Sequence, residues 1–487
     1  MIARKSTKDT LNSDAMTPGE RRAVSSLAGI YALRMLGLFM ILPVFSLYAE
    51  TLDGVTPFLV GLAIGIYGLT QAAFQIPFGM LSDRIGRKPV IALGLVIFAV
   101  GSVVAAMSDS MWGVIFGRAL QGAGAIAAVV MALSADLTRE EHRVKAMAVI
   151  GGTIGMSFAA ALVFGPIINA WMGVDGIFWV TAVLALGGII VLYKVVPTPI
   201  NSRFHRDTQP VTSQFKTVLS NPELLRLDAG IFLLHMVLTA SFVVLPFALR
   251  DFAHIQSDEH WQIYLPVLLI SMLMMVPFII VAEKRRRIKQ IMTGAIVVLA
   301  VAEFLLMVDH YSASSIFFAL MIFFIAFNVL EAILPSMIVK TAPPHIKGTA
   351  MGVYSSAQFL GAFAGGVVGG VLYGSYGVSG VFGFCGLALL FWAYLAFTMR
   401  NPKYLGSFML NVGPVDEVKA KQLVNDIAHI TGVAEVTVIP EDGIAYLKVD
   451  NHALDKKALL AFSADATINT KTEEDPKAVT ELLQDAK

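Results

Sequence analysis

Cysteine is nearly absent from this chain: Cys385 is the only one in 487 residues. No intrachain disulfide can form, and nothing argues for an oxidising compartment. Charge is scarce as well, at 15% of residues, and the near balance of 36 basic against 35 acidic side chains leaves a net charge of +1. That balance gives no reason to expect a nucleic-acid partner or an acidic substrate, because charge in such a chain matters by location. No Gly-x-x-x-x-Gly-Lys-Ser/Thr run is present, so a phosphate-cradling loop for ATP has no support. No nucleophile, base and orienting group can be assembled from the motifs, so an enzyme is not expected. Residues 1–22 are polar and basic, without a short apolar core and a small-residue cleavage site, and read as a tail rather than a removable signal.

What fills the chain is apolar residues, at 56%, far above soluble usage. Runs of the roughly 20 residues needed to cross a hydrocarbon core fall at about 23–49, 57–81, 89–107, 110–135, 145–170 and 176–196. A polar linker separates these from runs at about 224–250, 261–282, 290–308, 313–339, 347–374 and 377–399. The expected organisation is a tail (1–22), a six-helix bundle (23–196), a linker (197–223), a second six-helix bundle (224–400) and a small terminal domain (401–487). Lys and Arg collect in alternate breaks, at Arg84, Arg87 and Lys88, at Arg139, Arg143 and Lys145, and at Lys284 to Arg287, whereas the opposite breaks hold Glu50, Asp53, Asp109 and Asp175. Short cytoplasmic loops are the ones that gather basic residues, so both termini are expected in the cytoplasm.

The most informative break is Gly79-Met80-Leu81-Ser82-Asp83-Arg84-Ile85-Gly86-Arg87-Lys88-Pro89. Gly79 suits a close helix approach, Gly86 a tight turn, and Asp83 can accept hydrogen bonds at a helix N-terminus. This run resembles the loop signature between helices two and three of the major facilitator superfamily. Two further runs strengthen the resemblance. Arg118 to Gly124, with Gln121 inside it, matches that family's helix-four pattern, and Ala161 to Asn169 resembles its antiporter pattern in helix five. In the latter Gly165 and Pro166 are kept, while Ala161 and Asn169 replace outer glycines, which weakens the antiport expectation.

The resemblance implies an all-α membrane protein with the twelve-helix major facilitator fold, two six-helix pseudo-symmetric bundles around a midplane site. Internal similarity agrees: His142 to Val149 enters helix five much as His345 to Val353 enters helix eleven. The family's cavity is lined by helices one, four, seven and ten, and each of these carries one ionisable residue here: Arg34, Arg118, His235 and Glu331. An ionisable side chain at the bilayer centre costs about 2.5–3.5 kcal/mol, so each needs a reason. A proton or substrate site of Arg34, Arg118, Gln121, His235, Asn328 and Glu331 is one; structural ion pairs and snorkelling arginine stems are another. Glu331, with Asn328 nearly one turn before it, is the foremost candidate to carry a proton. His235 can titrate near neutral pH or serve as a packing histidine. Gln71, Gln75, Gln358 and Glu303 read better as packing contacts, the last near the outer surface.

The resemblance also implies that the loop locks an outward-facing state. Asp83 would meet the start of helix eleven and join Arg87 and Asp136 in a charge network, with Gly79, Arg84, Gly86 and Lys88 completing the motif. A plain helix-end carboxylate explains Asp136 equally well. After Arg400 the pattern changes. A strand at 404–411, a helix at 415–430, strands at 433–439 and 444–449 around the Asp442-Gly443 turn, a helix at 454–463 and a strand near 466–471 predict a small α+β ferredoxin-like domain. The 433–438 strand resembles heavy-metal-associated domains, but the 411–417 loop has no cysteine, so no metal site is expected.

The expected function is proton-coupled efflux of small amphipathic compounds by alternating access, as an antiporter in a bacterial inner membrane. Its partners are a small-molecule substrate, protons and the lipid bilayer. It uses the proton gradient and no cofactor. A transporter-like sensor relaying ligand binding to the terminal domain is the alternative.

Overall fold

The computed structural model describes residues 16–198, 214–343, 346–401, 405–440, 443–450 and 453–464. Helix α1 (Pro18–Phe39) starts at a capping box: the Thr17 hydroxyl accepts from the Glu20 amide while the Glu20 carboxylate accepts from the Thr17 amide, and Pro18 fills the first position. A turn through Pro43 breaks it before α2 (Phe45–Tyr48). Next come α3 (Pro57–Ile85), α4 (Arg87–Ala106), α5 (Met111–Ala123) and α6 (Ala127–Asp136), the last two being one span interrupted at Gly124–Ile126. Helix α7 (Glu140–Lys194) contains a non-helical Gly173 at φ +70. At 55 residues a straight helix would reach about 80 Å, far beyond a bilayer. The chain instead turns back there. Ser157 bonds to the Ala32 carbonyl and Gly188 lies against Ile30, so both limbs reach the same level of α1.

The second half repeats the plan with α8 (Phe215–Leu219), α9 (Pro222–Phe247) continued by a π-helical turn to Phe252, α10 (His260–Lys284), α11 (Ile288–Val308), α12 (Ala313–Thr341) and α13 (Lys347–Phe397). Gly377, at φ +65, divides α13 as Gly173 divides α7. Counting each divided helix twice and each interrupted one once gives the twelve expected spans among the described residues. Residues turned to the outside are large and apolar, such as Leu273, Phe397 and Trp171, as a hydrocarbon surround permits. Below, the near face is the end where α1, α9 and α13 begin; the far face is the opposite end.

The halves meet along α3 and α13. A Cβ added at Gly61 would lie 2.0 Å from the Gly366 carbonyl oxygen, and one at Gly68 2.3 Å from that of Phe359. Only glycine permits that approach, as small residues do generally between membrane helices.

The terminal unit contains β1 (Gly406–Asn411), α14 (Glu417–Ala428), β2 (Val433–Ile439), β3 (Ile444–Val449) and α15 (Lys456–Leu460). Its sheet has the order β1-β3-β2 with both pairings antiparallel. Leu410, Ile427, Ala445, Leu447 and Leu459 make its own small core. The strand expected near 466–471 and part of the Asp442-Gly443 turn lie outside the described residues. Lys448, buried on β3, donates to the Lys340 carbonyl at 2.9 Å and that of Thr341 at 3.4 Å, the last carbonyls of α12.

Candidate functional site

The six candidate cavity residues fall into two clusters and a bystander. In the first half, α1 presents Arg34, α3 Tyr67 and Gln71, α4 Ser102, and α5 Arg118 and Gln121. Arg34 donates to Gln71 Oε1 at 2.6 Å, Arg118 donates to Gln121 Oε1 at 2.8 Å, and Gln121 Nε2 donates to Ser102 at 2.8 Å. The Tyr67 ring has both guanidinium carbons near it, Arg34 at 5.6 Å and Arg118 at 5.3 Å from the centroid. Aromatic faces and amide oxygens take the place of carboxylate partners. Both arginines are 1% exposed, so this cluster is sealed inside its own bundle.

In the second half, three helices bring His235 (α9), Glu331 (α12) and Gln358 (α13) together. The Gln358 amide nitrogen lies 2.8 Å from His235 Nε2 and 3.3 Å from Glu331 Oε1, with His235 Nε2 and Glu331 Oε2 3.9 Å apart. His235 Nδ1 is 3.3 Å from the Ile231 carbonyl. That carbonyl can only accept, which assigns the ring proton to Nδ1 and leaves Nε2 to accept from Gln358. The side chain of Glu331 is 31% exposed against 12% for His235, while its Oε2 is buried. Asn328 turns away and donates to Ser271 on α10 at 3.1 Å. The side chain placed between imidazole and carboxylate is Gln358, which sequence reasoning read only as a packing residue. Glu303 is fully buried and accepts from Ser241 at 2.7 Å.

Toward the far face this cluster is covered by aromatic rings from both halves. Phe158 of α7 sits 6.4 Å from Phe242, 6.1 Å from Phe324 and 6.2 Å from Phe327. At the far face itself Arg250 reaches across to Glu50, at 2.5 and 3.1 Å. Gly165 makes a close contact within the first half: its missing side chain lets α7 come against the Met40 carbonyl, 2.4 Å from where a Cβ would stand, and Pro166 follows it within the helix.

At the near face the loop motif is organised by Arg87. Its guanidinium pairs with Asp83 at 2.5 Å and with Asp136 at 3.3 Å, and donates to Ser82 at 2.6 Å. Gly86, at φ +95, ends α3 and starts α4 with no residue to spare. Lys88 donates to the Val196 carbonyl at 2.7 Å and to Thr198 at 2.9 Å. Gly79 leaves room beside Ala128, and Arg84 is exposed. Arg87 and Asp136 therefore meet as the resemblance implied. Among the described residues no contact joins Asp83 to the start of helix eleven: Asp83 is 39% exposed and turns back to Arg87. Sequence reasoning also missed Glu20. It lies before the apolar run and takes the Arg139 backbone amide at 2.8 Å and its guanidinium at 3.1 Å. Burial alone would raise its pKa, but the bonds from Arg139 and Thr17 outweigh burial and hold it down at about 2.

Comparison with known proteins agrees with this architecture. A model described as Major Facilitator Superfamily matches residues 27–366 and 268–408. The inner membrane transport protein YajR of Escherichia coli K12 is 47% identical over 441 residues, covering 91% of this chain and 97% of that protein. The class B tetracycline resistance protein of Escherichia coli is 33% identical over 153 residues, 31% of this chain and 37% of that one. A bacterial homologue of the human lysosomal transporter Spinster, solved in an inward-facing and occupied conformation, shares the fold with a TM-score of 0.67 at 14% identity, covering 79% of this chain and 97% of that one. With a family model across most of its length and a relative matched almost end to end, the chain belongs to the major facilitator superfamily and is a multi-pass membrane transporter.

Proposed function

We propose that this transporter is a proton-coupled antiporter that exports small amphipathic compounds across a bacterial inner membrane. The observation that carries the reading is the contact of His235, Gln358 and Glu331, where an acid with partial access lies beside a neutral imidazole. With Glu331 ionised, the Gln358 amide serves both neighbours. A proton on Glu331 turns an acceptor into a donor, and His235 Nε2 can take that hydrogen bond only if Gln358 lets go. Gln358 lies on α13, the helix that forms the seam with the other half. Protonation thereby biases the arrangement of the two bundles, and the pH gradient does work to the extent that the two arrangements hold the proton differently. Substrate biases the same equilibrium, and no nucleotide or cofactor enters.

The basic residues of the near-face loops support placing that face, with both termini, in the cytoplasm. On that assignment the far-face closure corresponds to an inward-facing arrangement, and the near-face lock of Asp83 belongs to the opposite state. Similarity to the tetracycline resistance protein supports an amphipathic substrate. The strand order β1-β3-β2 agrees with three of the four strands of a ferredoxin-like domain.

The test is flux of ethidium, a lipophilic cation, driven by an imposed pH difference in proteoliposomes of the full chain. Coupled flux should collapse in Glu331→Gln and fall in His235→Ala. Normal coupled flux in both variants removes both carriers. The contact of Lys448 with the end of α12, the helix bearing Glu331, favours a sensor as second reading. Deleting 401–487 separates the two: retained flux places transport in the membrane helices, whereas no flux in either form supports the sensor.

A further inference from the structure

Gln75 of α3 ties the two halves by hydrogen bonds where its neighbours along the seam are glycines in bare contact. It is 3% exposed, and its amide nitrogen donates to the Gly352 carbonyl at 3.3 Å and to the Ser356 hydroxyl at 3.1 Å, both on α13. The two acceptors are one helical turn apart, and a side-chain amide has two hydrogens to give. The tie belongs to an even series. A Cβ at Gly370 would stand 2.4 Å from the Pro57 carbonyl oxygen, one at Gly61 2.0 Å from that of Gly366, and one at Gly68 2.3 Å from that of Phe359. Each step along α3 is matched by an equal step back along α13, which brings Gln75 opposite Gly352. In the same register Gly79 falls opposite Gly348, and there the series stops. Among the described residues a Cβ at Gly79 would meet only Ala128 of α6 within 4 Å, and Asp83, one turn further, turns to Arg87.

The rungs differ in what it takes to part them. At the glycine rungs the helix backbones already bond within their own helices, so separation loses contact area and leaves no polar group unmet. Parting Gln75 from α13 would strand a buried amide and the Ser356 hydroxyl, which is the more costly event. The position matters as well. Ser356 is two residues before Gln358, about 3 Å along α13. Gln75 lies about 15 Å along α3 from its near-face end, Ile85, and Glu331 about 15 Å along α12 from its near-face end, Thr341. The strongest tie in the series therefore stands at the depth of the site.

We propose that Gln75 is the pivot about which the two bundles rock; this rests on the alternating-access reading above. Its bonds to Gly352 and Ser356 persist in both arrangements. On the far side of it the rungs from Pro57 to Gly68 are closed in this arrangement and part in the other; on the near side Gly79 is apart from Gly348 here and meets it there, bringing Asp83 toward the start of α13. A pivot beside the site lets both faces swing while His235, Gln358 and Glu331 move least. Gln75 is thus a positioning residue: it touches no cargo and makes opening at one face require closing at the other.

The experiment measures distances between paired spin labels on the full chain in lipid nanodiscs, in a Cys385→Ser background. Asp109→Cys with Asp258→Cys reports the far face, and Lys194→Cys with Lys284→Cys the near face; all four positions are exposed. With Gln75 in place each pair should show two distances, and any change of pH that raises the long one at one face should lower it equally at the other. Gln75→Leu, which keeps the bulk but cannot donate, should lose this reciprocity, so that both faces are wide in part of the population. Ser356→Ala should do the same to a smaller extent, since the Gly352 carbonyl remains, and should add nothing in the Gln75→Leu background. A merely structural role would lower the melting temperature and leave the two faces reciprocal. Full reciprocity in Gln75→Leu, or in Ser356→Ala should the first variant not fold, overturns the pivot and leaves alternating access intact. A single fixed distance at each face with Gln75 in place removes alternating access, and the pivot falls with it.

Discussion

The seam between α3 and α13 permits a sharp test, because the same substitution should act with opposite sign at two glycines. In Gly61→Ala the new methyl would stand 2.0 Å from the Gly366 carbonyl oxygen, 2.9 Å from its carbon and 3.0 Å from Gly370 Cα. All three atoms are backbone, so no rotamer change relieves the clash. Ordinary contact begins at 3.4 Å, so the helices must part locally by more than an ångström. Forced overpacking of this kind costs about 1–3 kcal/mol, and here it also opens contacts at Gly65, Gly366 and Gly370. At Gly152, exposed on α7, a Cβ meets nothing within 4 Å. Alanine there should stabilise by about 0.5–1 kcal/mol, the ordinary helical preference over glycine. Unfolding of both variants in mixed micelles, followed by circular dichroism, should move the midpoints in opposite directions. Equal shifts, or a Gly61→Ala change within the wild-type error, would show that the helices do not approach as described.

Three further outcomes follow from the near face and the terminal unit. Glu20, held at about 2 against an ordinary 4.5, contributes stability that is full above pH 4.5 and is lost as pH falls toward 2. Glu20→Gln should abolish that acid-side loss and lower stability at pH 7 by up to about 3 kcal/mol, read by unfolding at several pH values. Arg87→Ala should cost about 1.5–3 kcal/mol, as for a charge-assisted hydrogen bond, and combining it with Asp136→Asn should cost less than the sum of the two. Lys448→Met should raise amide exchange in the terminal unit and the last turn of α12 while α3 is unchanged, measured by deuterium uptake; unchanged uptake in both would show that the contact holds nothing.

The spans were legible because charges cluster where the chain leaves the membrane, and because Gly173 falls within the short break that separates helices five and six and Gly377 at the edge of that between eleven and twelve. The loop motif was legible because its chemistry is local: Arg87 meets Asp83 across the single-residue break at Gly86. The grouping of the intramembrane polar residues was not. Helices such as α9 and α12 are apolar nearly all round, so their sequences do not mark which side faces the cavity. Hence Asn328 could be placed beside Glu331 by helical spacing, while its actual partner, Ser271, belongs to another helix. Arg34 and Arg118 met no acid because Tyr67 supplies a ring between them, and a tyrosine in an apolar run carries no such signal.

The bridge from Arg250 to Glu50 lies in solvent, 30% and 47% exposed. An exposed ion pair contributes no more than about 1 kcal/mol and weakens as ions accumulate around it. A clasp that light holds the bundles shut on that side without trapping them, and dissolved salt at the far face acts on it directly. On the orientation and export proposed above, raising external ionic strength should therefore ease the turn outward, making the speed of the cycle a function of the medium into which cargo is released.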